Sequence, residues 1–143
     1  EHDIEFFDDL GNLSFPVLAS RPAQLYMDQG FRFIATFDFY RAVVSFRAAQ
    51  TRDPLCAMCI WGEAFALGPN LNSFDELRLV KSVPLANRRA QEALHLITDH
   101  KTNVSGSDGK ALARELALIE ALASRYAATV EEYLDREVEL THQ

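Results

Sequence analysis

Apolar residues along this chain recur at helical spacing, and little in the pattern alternates as a strand would. After an acidic, aromatic arm over residues 1–19, Ser20 is placed to cap a helix with Pro22 in its first turn, and Leu25, Tyr26, Phe33 and Phe37 mark its apolar positions over 22–36. Asp38 caps a second helix, in which Ala42, Val43, Phe46 and Ala49 fall at i, i+1, i+4 and i+7 and which ends near Thr51. Asp53-Pro54 predicts a third helix over 54–67, stopped by Gly68-Pro69. Ser73-Phe74-Asp75-Glu76 reads as a capping box opening a short helix to Ser82, with Val83-Pro84 as its break. A fourth full helix, 84–99, carries Ala86, Ala90, Leu94 and Ile97 on one face. Residues 100–109 are polar and glycine-containing, the stretch least expected to be ordered. Leu112, Leu116, Ile119, Ala123 and Tyr126 mark a fifth helix, and Thr129-Val130-Glu131-Glu132 opens a sixth with Tyr133, Leu134 and Val138. The expectation is an all-α chain: an arm, 1–19, followed by one helical domain, 20–143.

A repeat lies within that pattern. Tyr26, Gly30, Phe33, Ala42, Phe46 and Pro54 have the spacing of the tetratricopeptide signature, which recurs over about 34 residues. The positions are physically sensible, because Gly30 and Ala42 let two antiparallel helices approach while Phe33 and Phe46 fill the space between them. Gln29 stands where the signature usually has Leu. In register, Ile60, Ala64 and Leu67 begin a second unit whose partner helix is delayed by residues 68–83. The predicted architecture is therefore antiparallel hairpins stacked as a tetratricopeptide-like solenoid with an irregular second repeat.

The stretch Asp53-Pro54-Leu55-Cys56-Ala57-Met58-Cys59-Ile60-Trp61-Gly62-Glu63-Ala64, with Gly68-Pro69-Asn70-Leu71-Asn72 after it, closely resembles a group of bacterial tetratricopeptide-repeat proteins. Leu10-Gly11-Asn12-Leu13, Phe15-Pro16-Val17, 115–122 and Arg125-Tyr126 extend the resemblance over most of the chain. Members of that group are mostly longer, often look exported and lack an assigned enzymatic activity. The resemblance implies a short subunit, a processed form or the N-terminal part of a longer protein, with a role in binding other proteins rather than in catalysis. Ser14 departs from the His that often precedes the Phe-Pro pair, which weakens a metal or catalytic role there.

In such folds the first helix of each hairpin lines a groove for a peptide or helix. Projected onto this chain, the groove-facing positions are Gln24, Met27, Phe31 and Ile34, then Met58, Trp61 and Phe65. That face is apolar and lacks the Lys and Asn residues with which some members clamp a carboxylate terminus. Its occupant is either a segment of a partner or the chain's own arm, which offers Ile4, Phe6, Phe7, Leu10, Leu13 and Phe15.

Charge narrows the partner class. A net charge of −7 and a pI near 5.0 argue against nucleic acid or anionic lipid as the principal partner, and no apolar run has the roughly 20 residues of a membrane span. Cys56-Ala57-Met58-Cys59, in the first turn of the third predicted helix, is the one conventional motif. It serves as packing, as a disulfide or redox pair, or as weak metal ligands; no βαβ pattern surrounds it, Ile60 stands where a haem motif needs His, and His95 and His100 do not share a helix face. A redox or metal-handling protein is thus the rival to an interaction module. No carboxylate pair sits beside a partner for acid–base work, acidic runs such as Glu131-Glu132 read as solvated faces, and Asn70 and Asn72 read as turn formers or ligand contacts. No cofactor is expected, and the compartment is legible only through the resemblance, which points to export.

Overall fold

The apolar stripes fold as helices. The computed structural model describes residues 3–70, 76–99 and 107–141. Among them lie α1 (Arg21–Ala35), α2 (Phe39–Arg52), α3 (Ala57–Leu67), α4 (Glu76–Asp99), α5 (Ser107–Arg125) and α6 (Val130–Thr141), with no strand among the described residues. Helices α1 to α5 pack in chain order; α3 also touches α1 and α5, and α6 lies on α4. None of the described helices is long and apolar enough to cross a membrane.

Phe46 of α2 is the knob at the centre of the first three helices. Its ring is fully buried and lies where a Cβ on Gly30 of α1 or Gly62 of α3 would have to be, at 2.5 and 2.6 Å. Both glycines are therefore required by close approach: any side chain would push the ring out of its slot. Ala42, Ala49 and Ala64, also fully buried, keep the same interfaces thin. At the other end of α3, Gly68 leaves room for Tyr126, whose hydroxyl would stand 1.9 Å from a Cβ there.

Helix ends follow the sequence signals in part. Asp38 accepts the Arg41 N–H at 3.1 Å and caps α2, and Thr129 Oγ1 accepts the Glu132 N–H at 3.3 Å at the start of α6. The α1–α2 turn is a Schellman closure, with the Phe37 N–H donating to Ile34 O and the Asp38 N–H to Phe33 O. Phe37 takes the left-handed conformation usually given to glycine there, at φ 61°.

Four expectations need correction. Ser20 occupies the N-cap of α1, but its hydroxyl makes no capping bond. Pro54 lies in a turn, not at the start of α3: Cys56 is the N-cap, and Asp53 is spent elsewhere, accepting the Ser20 N–H at 2.6 Å and the Leu55 N–H at 3.2 Å. Helix α5 begins at Ser107, inside the segment expected to be a loop. Pro84 does not break the chain into two helices; α4 runs through it. Leu79, Val83, Ala86, Ala90, Ala93 and Ile97 form one buried stripe on both sides of Pro84, and that packing offsets the roughly 3 kcal/mol an interior proline costs. The capping residues 73–75, Asn72 and the expected loop from 100 to 106 lie outside the described residues.

Candidate functional site

Two surfaces of the helical body carry unusual concentrations of polar chemistry. The first is the face of α1 and α5 crossed by the arm, which runs extended and has no helical bonds to satisfy its main chain. Side chains of the two helices do so instead. Gln29, fully buried, accepts the Phe7 N–H at 2.8 Å and donates to the Glu5 carbonyl at 3.0 Å and to Ser45 Oγ at 3.2 Å. Asp28 accepts the Phe15 N–H and the Ser14 hydroxyl, each at 2.9 Å. Gln24 accepts the Val17 N–H at 2.9 Å and donates to the Phe15 carbonyl at 2.8 Å. Arg32 donates to the Leu13 carbonyl, and on α5 Arg114 donates to the Pro16 carbonyl. Glu115 accepts the Leu18 N–H at 2.6 Å; burial pushes its carboxyl above the ordinary 4.5, while that N–H and the adjacent Arg114 pull the other way.

Aromatic packing seals the same contact. Phe15 of the arm lies 4.9 Å from the Phe31 ring, Phe7 meets Phe33 edge-on at 5.8 Å, and Phe6 meets Tyr26 at 5.9 Å. From Phe31 the row continues to Trp61 at 6.2 Å and on to Phe65, stacked on Trp61 at 5.4 Å. Trp61 Nε1–H donates to the Leu118 carbonyl, tying α3 to α5. Of the groove positions read from sequence, Met27 and Met58 are fully buried and Trp61 nearly so, whereas Phe31, Ile34 and Phe65 are half-buried around the row. The signature residues Gly30, Phe33, Ala42 and Phe46 meet in the α1–α2 interface, Tyr26 lies under the Arg52 guanidinium at 3.8 Å, and Pro54 is exposed.

The second surface is a cleft of about 1630 Å³ between α2 and α4, floored by α3. Glu63, buried at its floor, accepts from Arg47 Nε at 2.8 Å, Gln50 Nε2 at 2.8 Å and Arg89 Nη2 at 2.9 Å. Arg89 also pairs with Glu92 and Gln50. One carboxylate thus joins three helices, and the two arginines neutralise it. The buried polar residues Asp28, Glu63 and Glu115 carry no signal in the sequence pattern, and the partners of such groups lie up to 97 positions away. The one local hint was Gln29, a polar residue where the signature has Leu.

Cys56 and Cys59 are joined by a disulfide, and both are buried, at 1% and 0% exposure. Cys56 Sγ accepts the Cys59 N–H at 3.1 Å and so caps α3. Among the described residues no group of His, Cys, Asp and Glu is arranged to hold a metal. No known family model, curated protein or solved structure matches the chain.

Proposed function

We propose that this chain is a protein-interaction module of the tetratricopeptide kind, non-enzymatic, whose α1–α3–α5 face holds an extended polypeptide segment. The supporting observation is the arm. Its main-chain N–H and carbonyl groups are bonded by Gln24, Asp28, Gln29, Arg32, Arg114 and Glu115, while Phe15 sits on the aromatic row. Holding backbone through side-chain amides and carboxylates, with aromatic pockets for alternate residues, is how a helical groove accepts an extended chain with little regard for its sequence. On this reading the arm is the resident occupant, and a partner segment within a larger assembly takes the same place or extends the row past Phe65. The fit of Phe46 between Gly30 and Gly62 supports stacked hairpins of the tetratricopeptide type.

A labelled peptide copying residues 3–19 tests it. Phe7→Glu with Phe15→Glu should loosen the arm and let the peptide bind in trans, and adding Phe31→Glu should abolish that binding while the helical melt persists. Failure of the peptide to bind a folded, arm-loosened variant refutes the groove. So does Phe31→Glu unfolding the protein as thoroughly as Phe46→Glu, because Phe31 would then be plain core.

The rival reading, a redox or metal-handling protein, draws on the Cys56–Cys59 disulfide. Burial of both residues favours a structural cross-link instead, and such a bond suits an exported chain because oxidising compartments preserve it. Thiol titration with and without reductant, together with metal analysis, separates the two: sulfurs that react readily in the folded protein would favour the rival.

A further inference from the structure

We infer that the cleft between α2 and α4 is a second docking surface, distinct from the arm-covered face, and that its occupant is an acidic segment of another polypeptide. The charge distribution carries the argument. Four arginines, Arg47, Arg52, Arg88 and Arg89, line the cleft against three carboxylates, on a chain with only 14 Lys and Arg in all and a net charge of −7. The lining thus carries a small positive excess on an acidic molecule, and that charge is complementary to a carboxylate-bearing chain.

Two of the cations, Arg47 and Arg88, are also available. The floor is internally neutralised, since Glu63 takes its bonds from Arg47, Gln50 and Arg89. Arg47 engages Glu63 through Nε, and its side chain is still 54% exposed. Arg88 is exposed and makes no hydrogen bond or ion pair among the described residues. Between these guanidinium groups the walls are apolar: Tyr40 is 68% exposed, and Val44 and Leu85 are half-buried. An exposed tyrosine beside Arg88 and the solvent-facing part of Arg47 suits a segment that alternates carboxylates with apolar side chains. Asp3 of the arm already stands at the cleft's edge, so an acidic backbone can approach it. Nucleic acid fits less well, because Val44 and Leu85 give the walls aliphatic surface that a phosphate backbone does not fill.

The probe is a fluorescein-labelled peptide alternating Glu and Leu, with a Lys–Leu peptide and a single-stranded oligonucleotide as controls, read by anisotropy on the intact chain. The Glu–Leu peptide should bind, and should weaken as salt is raised. Arg47→Glu with Arg88→Glu should reduce its affinity by at least about tenfold. Arg88→Glu alone, at a side chain with no partner among the described residues, should give a smaller loss with an unchanged melt. Phe31→Glu, if folded, should leave this binding intact, which separates the cleft from the arm-covered face. Absence of binding, equal binding of the Lys–Leu peptide, preference for the oligonucleotide, or wild-type affinity in folded Arg88→Glu and double variants would overturn the assignment.

Discussion

The two polar surfaces use the same kinds of side chain in opposite ways. On the α1–α5 face, Asp28, Gln29 and Glu115 are buried and committed to the main chain of the arm. In the α2–α4 cleft, Glu63 is equally buried but committed to other side chains, while Arg88 and more than half of the Arg47 side chain reach solvent. The first face is closed by the chain itself; the second is held in shape by an ion-pair network and is not covered by the described residues. Burial of a charge is therefore a poor guide to function here, and the identity of its partner, backbone or side chain, is the informative quantity.

Removing the carboxylate from each surface should make the contrast measurable. Glu63→Ala leaves Arg89, only 21% exposed, without its main counter-charge and unties α2, α3 and α4 together. A loss of about 3–5 kcal/mol, seen as one cooperative shift in thermal and denaturant melts, is expected. Asp28→Ala frees the Phe15 N–H, the Ser14 hydroxyl and Gln24 Nε2 but breaks no hydrogen bond between helices among the described residues, so a loss of about 2 kcal/mol is expected. Its signature should be local: cleavage within residues 3–19 by a protease, with the helical signal retained. If Asp28→Ala melts the body as severely as Glu63→Ala, the arm is part of the core and the distinction between the surfaces fails.

Both surfaces stand on the α1–α2–α3 packing, and a change there should affect them equally. Ala42→Leu adds three carbons to a fully buried position and should cost about 1–3 kcal/mol by overpacking. The melt should fall without selective exposure of the arm to protease. An unchanged melting temperature would mean that Ala42 does not set the approach of the two helices.

How much of this was legible follows from the range of each interaction. Phe46, Ala42 and Gly30 could be read because helical periodicity places them on facing stripes, although the sequence did not show that Gly62 closes the far side of the Phe46 ring. The stripe through Leu79, Val83 and Ala86 was also present in the sequence, and the local veto of Pro84 was given too much weight against it. Asp53 shows the reverse error: a strong local capping signal was overridden when its carboxylate found the Ser20 N–H, 33 positions away. The partners of Gln29, Asp28 and Glu115 are set by the path of the arm, which has no periodicity to read. The cleft was illegible for a similar reason, since Arg47 and Arg88 are brought together only by α2 and α4 packing on either side of α3.

The smallest expected effect probes the arm-covered face by pH. Glu115 is 2% exposed and accepts the Leu18 N–H at 2.6 Å, and its folded pKa lies above 4.5 because burial penalises the carboxylate more than that N–H and Arg114 favour it. A carboxyl whose pKa is raised on folding stabilises the fold most below its unfolded value, and this contribution is lost as pH rises through the folded value. Above its folded pKa the wild-type chain therefore carries a buried charge that Glu115→Gln removes, while the amide oxygen can still accept from Leu18. The variant should melt slightly higher than wild type at pH 7, and the gap should close as pH is lowered past 4.5, where wild-type Glu115 is itself neutral. A lower melting temperature for Glu115→Gln at pH 7 would show that the charged hydrogen bond to Leu18 and the attraction of Arg114 outweigh the burial cost. The arm would then be latched by charge and not merely tolerant of it.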